Sequence, residues 1–132
     1  MATGTEATLQ ATGIMPSFTV NDIDRSIRFY EGLGFAVEER WESEGVLQGV
    51  MLRAGVARIG LSQDDWKKGR DRVKGLGLRF HIGTTQDIDQ LAASAKAAGV
   101  ALDSEPHETE WGSRVFEVTD PDGLLLTVSK EA

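Results

Sequence analysis

Two hydrophobic periods divide this chain of 132 residues into short elements. In residues 22–34, Ile23, Ile27 and Tyr30 recur at helical spacing, between an aspartate that can cap a helix and a glycine that can end it. The same arrangement returns in residues 87–99, and both copies begin Asp-Ile-Asp. The copies are offset by 65 positions in the chain, so the pattern predicts a duplicated architecture.

Segments in which apolar and polar residues alternate surround each helix, as is typical of half-buried strands. The strands are predicted at residues 14–20, 35–42, 46–53 and 56–62, and again at 78–83, from 100 towards Pro106, at 114–119 and at 124–129. Pro106 either ends this strand or marks an edge strand, and His107, which follows it, is expected in a solvated loop. The pattern predicts a single α+β domain, made of an N-terminal arm (1–13), a βαβββ module (14–62), a connecting loop (63–77) and a second βαβββ module (78–129).

The composition is that of an ordinary globular chain, with 40% hydrophobic and 27% charged residues. No apolar run approaches the roughly 20 residues of a membrane span, and residues 1–13 lack the basic and apolar regions of a signal peptide, so none is expected there. The net charge of −7 disfavours binding to nucleic acid, and the basic residues 67–74 are expected to form a solvated loop. The chain has no cysteine, which is compatible with a cytoplasmic location.

Two motifs accompany the duplicated pattern. Residues 22–30 read Asp-x-x-x-Ser-x-x-Phe-Tyr, and residues 111–123 read Trp-Gly-x-Arg-x-Phe-x-Val-x-Asp-Pro-Asp-Gly. Together with the two modules, they resemble the vicinal oxygen chelate superfamily, which includes glyoxalases, bleomycin-resistance proteins and extradiol dioxygenases. The resemblance covers residues 14–129 and implies curved mixed sheets around a concave cavity. It says little about activity, because one fold hosts many functions.

The resemblance also implies four positions for metal ligands, which metal-dependent members fill with His, Glu or Gln. Carried over onto this chain, they fall on Met15, Gly60, Phe80 and Thr127. None of these is a normal ligand for a hard or borderline divalent ion. We therefore expect no metal and no cofactor.

The strand at 78–83 leaves one alternative open. Counting back from the second helix places Phe80 in the cavity, whereas the alternation favours Phe80 in the core and Arg79 and His81 in the cavity. On the favoured register, His81 can act as a general base near neutral pH, with Glu117 as the nearest candidate carboxylate. His81 and Glu117 are thus the candidate catalytic residues.

A small organic ligand is the expected occupant of the cavity. Arginine forks suit carboxylate or phenolate groups, and an indole at the cavity rim can stack on a flat ring. The candidate ligand-binding residues are Met15, Ser17, Thr19, Arg58, Gly60, Arg79, His81, Trp111, Leu125 and Thr127.

The favoured function is a metal-independent small-molecule binding protein. It resembles the bleomycin-resistance proteins, which sequester an antibiotic in grooves at a dimer interface, and the resemblance implies a homodimer. The alternative is a metal-dependent lyase, isomerase or dioxygenase of the same superfamily, with a nonstandard ligand set that includes His81 and Glu117. A metal-free enzyme with His81 as its base is a third possibility.

Overall fold

The computed structural model describes residues 6–70 and 72–131. The first five residues of the predicted N-terminal arm, and Asp71 of the connecting loop, therefore lie outside the described residues. The described elements are β1 (Ser17–Val20), α1 (Ile23–Leu33), β2 (Ala36–Ser43), β3 (Val46–Ala54), β4 (Ala57–Gln63), β5 (Arg79–Thr84), α2 (Ile88–Ala97), β6 (Ser104–Glu108), β7 (Arg114–Thr119) and β8 (Leu125–Lys130).

These elements form two βαβββ modules with the same topology. The strand order is β1-β4-β3-β2 in the first sheet and β5-β8-β7-β6 in the second. In each sheet the first strand of the module runs parallel to the last, and the other pairs are antiparallel. The predicted α+β fold and its duplication are confirmed. The two sheets remain separate and do not close into a barrel.

Both helices begin at the aspartates that the sequence repeats. The side chain of Asp22 accepts a hydrogen bond from the Arg25 amide at 3.1 Å, and Asp87 accepts one from the Gln90 amide at 3.0 Å. Gly34 ends α1 with φ of 109°, which is a left-handed conformation that favours glycine. Within the described part of the chain, no helix is long and apolar enough to cross a bilayer.

One hydrophobic core lies on the helix-bearing faces of both sheets. Phe18 of β1 meets Phe80 of β5 edge to face, with ring centroids 5.8 Å apart, and Phe18 also packs against Tyr30 of α1. The first strands of the two modules therefore meet through side chains and not through a ladder of backbone hydrogen bonds.

A buried hydrogen bond also joins the modules. The hydroxyl of Tyr30 donates to Oδ2 of Asp120 over 2.7 Å, and both side chains are almost completely buried. Burial, followed by the adjacent Asp120 carboxylate, raises the pKa of Tyr30, so the phenol keeps the proton that it donates. The other oxygen of Asp120 accepts the backbone amides of Asp122 and Leu124 at 2.9 Å each.

The aspartates at 120 and 122 are predicted to form a turn, and the structure gives them a second role. Asp122 accepts a hydrogen bond from the Asn21 amide of the first module at 3.0 Å. Burial raises the pKa of Asp122. The turn between β7 and β8 thus binds the segment that joins β1 to α1.

The connecting loop is closed at its base by buried charges. The ammonium of Lys74 lies 2.9 Å from Oδ2 of Asp64 and 2.5 Å from Oδ1 of Asn21, and its side chain is 8% exposed. Arg72 bonds the same Asp64 oxygen at 2.8 Å. The hydrogen bond from Lys74 is the main reason why the pKa of Asp64 is lowered to about 2.

The expectation of a solvated basic loop is therefore correct for only part of this segment. Lys67, Lys68 and Arg70 are exposed, and the guanidinium of Arg70 lies 4.7 Å from the centre of the Trp66 ring. Arg72 and Lys74 instead pair with Asp64, because a buried carboxylate needs a partner.

The strand predicted from residue 100 is wrong in its starting point. Val100 is buried in the core after α2, and β6 begins only at Ser104 and contains Pro106. A proline fits here because β6 is an edge strand and its pairing with β7 is irregular between Ser104 and His107. His107 consequently belongs to a strand and not to a loop.

Replacing Tyr30 with Phe should lower the free energy of unfolding by about 2 kcal/mol, because a buried carboxylate oxygen loses its partner. Urea denaturation of wild type and variant measures the difference. Ser43→Ala, which removes a hydroxyl from an exposed position, should leave the midpoint unchanged. A Tyr30→Phe midpoint equal to that of wild type would show that the hydrogen bond does not hold the modules together.

Asp64→Asn should destabilise the protein in a pH-dependent manner. The folded-state pKa of Asp64 is about 2, below the ordinary 3.8, so its ionised form stabilises the fold above about pH 4 and this contribution is lost as pH falls towards 2. The urea midpoints of wild type and Asp64→Asn should differ at pH 7 and converge near pH 2. Asp65→Asn, at the exposed neighbouring position, is the control. A difference between the midpoints of wild type and Asp64→Asn that stays constant at all pH values would contradict the role of ionised Asp64.

Candidate functional site

Strand β5 has the register that the alternation of its residues favours. Phe80 and Ile82 pack against the core, whereas Arg79 and His81 lie exposed on the other face of the sheet. In the backbone register of β5 and β8, His81 lies opposite Thr127. The face that carries His81 is therefore the one turned away from the helices.

A pocket of about 210 Å³ lies on this face of the second sheet. Five residues predicted from the sequence line it, on three strands and one hairpin, together with three that were not predicted. The lining residues are Arg79, His81, Trp111, Glu117 and Thr127 from the prediction, and His107, Thr109 and Val115 in addition.

The carboxylate of Glu117 is the acidic group of this pocket, and both of its oxygens are engaged. Arg79 Nη1 donates to Oε2 at 3.2 Å, and the hydroxyl of Ser104 donates to Oε1 at 3.0 Å. The same Arg79 nitrogen donates to the hydroxyl of Thr127 at 3.1 Å. Among the described residues Glu117 makes no hydrogen bond to His81, so the two candidate catalytic residues share a pocket without forming a pair.

Both histidines of the chain line this single pocket, although they come from β5 and β6. Nδ1 of His107 lies 2.8 Å from the backbone oxygen of Glu105. Because a carbonyl oxygen only accepts, Nδ1 carries a proton, and Nε2 of the neutral ring keeps a free lone pair. His107 was missed because the sequence placed it in a solvated loop after Pro106; the available signal was the alternative that Pro106 marks an edge strand.

Trp111 provides an apolar surface at the rim of the pocket. It lies in the hairpin between β6 and β7 and is 74% exposed, while Val115 beneath the same pocket is buried. An exposed indole beside a polar pocket is suited to stacking on a flat ring. Trp111 thus lies beside the pocket, and its contact with a ligand stays a prediction.

The other predicted residues do not line this pocket. Ser17 and Gly60 are paired on the first sheet, and a Cβ at Gly60 would come within 2.5 Å of the Ser17 hydroxyl. Gly60 therefore leaves room for Ser17 and presents no side chain of its own. On the same sheet, the ring of the half-exposed Trp41 lies across Gly49, 3.2 Å from where a Cβ would stand.

Met15, Arg58, Thr19 and Leu125 have separate surroundings. Met15 is half-exposed and precedes β1, and Arg58 is held by Glu38 at 2.7 Å, which lowers the pKa of that carboxyl. Thr19 lines a different cavity of about 220 Å³ beside the connecting loop. Leu125 pairs with Arg79 across β5 and β8 but does not line the pocket.

The donor set does not suit a divalent metal ion. Of the four positions implied by the resemblance, Phe80 faces the core and Thr127 is hydrogen-bonded to Arg79. In residues 6–70 and 72–131, no three His, Asp or Glu side chains come together as a set of metal ligands. The Arg79 guanidinium also places a positive charge beside the one carboxylate of the pocket.

Comparison with known proteins agrees with the architecture. The family model described as Glyoxalase/Bleomycin resistance protein/Dioxygenase superfamily matches residues 12–128. No curated protein matches the sequence of the chain.

Several solved structures share the fold at low sequence identity. TioX from Micromonospora sp. ML1 is 18% identical with a TM-score of 0.74, over 92% of this chain and 100% of that chain. A bleomycin-binding protein complexed with bleomycin is 19% identical with a TM-score of 0.68, again over 92% and 100%. A glyoxalase I mutant from Zea mays is 22% identical with a TM-score of 0.73, over 89% of this chain and 44% of that chain.

His107 should populate the neutral tautomer with its proton on Nδ1, because the Glu105 carbonyl accepts from that nitrogen. Long-range ¹H–¹⁵N NMR spectra above neutral pH distinguish the two tautomers through their nitrogen shifts. The ring of His81, for which the described residues include no hydrogen-bond partner, is the internal comparison. A His107 ring protonated mainly on Nε2 would contradict the assignment.

Proposed function

Because the chain belongs to the Glyoxalase/Bleomycin resistance protein/Dioxygenase superfamily, we propose that it is a metal-independent small-molecule binding protein. In this proposal it resembles the bleomycin-resistance members, which sequester a compound without changing it. The ligand occupies the pocket on the second sheet, between Trp111 and the row formed by Arg79, Glu117 and Thr127.

The observation that carries the proposal is the pairing of Glu117 with Arg79. A metal ion is held by a set of carboxylate and imidazole ligands, and the carboxylate of this pocket is hydrogen-bonded to Arg79 and Ser104, beside a guanidinium charge that repels a cation. The guanidinium supplies the positive charge that balances Glu117. This supports ligand binding by side chains alone.

The proposal includes a homodimer. The pocket lies on the exposed face of the second sheet, and Ser17, Arg58 and Gly60 of the predicted residues lie on the first sheet. A second copy that places its first sheet over this pocket would bring Met15, Ser17 and the exposed Trp41 towards the ligand. A cytoplasmic location, with neither nucleic acid nor membrane as a partner, completes the proposal.

One observation favours an enzyme as the second candidate. His81, His107 and Glu117 line one pocket, and Nε2 of neutral His107 has a free lone pair. In a metal-free enzyme, an imidazole placed in this way can act as a general base. In a metal-dependent lyase, isomerase or dioxygenase, His81 and Glu117 would belong to a nonstandard set of metal ligands. The metal-dependent version requires the Arg79–Glu117 ion pair to break.

A thermal-shift screen followed by calorimetry tests the proposed function. We expect saturable binding of at least one organic compound, and we expect Trp111→Ala to weaken it at least tenfold, equivalent to about 1.4 kcal/mol, through loss of stacking. Leu76→Ala, another exposed apolar residue outside the pocket, should leave the affinity unchanged. Equal weakening by both variants would contradict the placement of the ligand.

The same preparation, purified without chelator, separates binding from catalysis. We expect below about a tenth of an equivalent of Ni, Zn, Fe or Mn by elemental analysis, no product after prolonged incubation with any hit, and a dimer by sedimentation equilibrium. Stoichiometric metal or turnover that His81→Ala abolishes would replace the binding proposal with the enzyme. A monomer that binds with full affinity would remove the dimer from it.

A further inference from the structure

Arg79 is fixed in place by only one of its three nitrogens. Nη1 donates to both Glu117 and Thr127, at 3.2 and 3.1 Å. Among the described residues, Nε and Nη2 of Arg79 have no protein acceptor within hydrogen-bonding distance. Nε and Nη2 form one edge of the planar guanidinium, with two parallel N–H groups, and the side chain is 42% exposed. The pocket therefore holds an immobilised fork that has a free edge.

The carboxylate of the pocket is already paired with donors of the protein, whereas other donors remain free. Each oxygen of Glu117 accepts one hydrogen bond, from Arg79 and from Ser104 respectively. The indole N–H of Trp111 can only donate, and it stands 74% exposed at the rim. Because the charge of Glu117 is balanced by Arg79, the free edge of the guanidinium is the charged donor that remains for a ligand, and a ligand that brings acceptors matches it.

The charges around the pocket do not compete for the free edge. Glu105 pairs with Lys96 at 2.9 Å, and Glu108 pairs with Arg114 at 3.3 Å, so these nearby carboxylates have partners of their own. The charges of Arg79 and Glu117 balance each other. Selectivity for a ligand therefore depends more on the geometry of the guanidinium fork than on the net charge of the pocket. A carboxylate matches such a fork with two parallel hydrogen bonds.

Resting on the proposed function, we propose that the ligand is a small aromatic carboxylate. Its carboxylate is held side-on by Nε and Nη2 of Arg79, and its ring lies against Val115 and Trp111. Glu117 and Thr127 act as positioning residues that orient the guanidinium and do not touch the ligand. The volume of about 210 Å³ suits one or two fused rings with one acidic group.

Calorimetry on matched pairs tests this assignment, with benzoate against benzamide and 2-naphthoate against 2-naphthamide as the probes. Wild type should bind each carboxylate at least tenfold more tightly than its amide. Arg79→Gln should abolish this preference, and Arg79→Lys should lose most of it, because an ammonium keeps the charge but lacks two parallel donors. Arg114→Gln is the matched control, since Arg114 is similarly exposed and paired with Asp89 but lies outside the pocket, and it should keep the preference.

The results distinguish a failure of carboxylate recognition from a failure of the proposed small-molecule binding. Amides that bind as tightly as carboxylates, a preference retained in Arg79→Gln, or no binding by any of the four probes would overturn carboxylate recognition. If other compounds still bind and Trp111→Ala weakens their binding, the proposed function stands without carboxylate recognition. Arg79→Lys keeps a cation beside Glu117 and should therefore fold like the wild type. If the melting temperatures of the two proteins match, a loss of the preference for carboxylates is not caused by unfolding.

Discussion

The hydroxyl of Tyr30 donates to a carboxylate oxygen of Asp120 across the junction of the two modules, in a place that water does not reach. Each module alone has one sheet and one short helix, so neither can enclose a large core. Asp122 and Lys74 add further bonds to Asn21, beside the start of α1. Because buried polar groups without partners are costly, these contacts permit few alternative placements of one module on the other.

These contacts join the two modules on the helix-bearing side of the sheets. They leave the opposite faces of both sheets free to bind other molecules. On the second of these faces, an ion pair between Arg79 and Glu117 stands among residues that could otherwise hold a metal. The pair neutralises the carboxylate, immobilises the guanidinium and leaves one of its edges available. In the proposed function, this interaction disfavours a metal ion beside Glu117 and favours recognition of a planar anion.

Periodic residues made most of the fold predictable. Helical spacing of Ile23, Ile27 and Tyr30, together with capping aspartates, located α1, and the repeat then located α2. The prediction was wrong for the start of β6, and although an edge strand was one of its two interpretations of Pro106, it expected a loop after the proline. His107 was missed for this reason, and that error removed one of the two histidines from the predicted site.

The sequence by itself determined the duplicated α+β fold and the side of β5 on which Arg79 and His81 lie, because local periodicity and caps are encoded in neighbouring residues. Only the tertiary structure decided which predicted site residues meet. It brought His81, His107, Glu117 and Trp111 to one pocket, and it left Ser17 and Gly60 on another sheet. Pairings such as Arg79 with Glu117 join residues 38 positions apart, and contacts at that separation depend on sheet order and register, which no local pattern specifies.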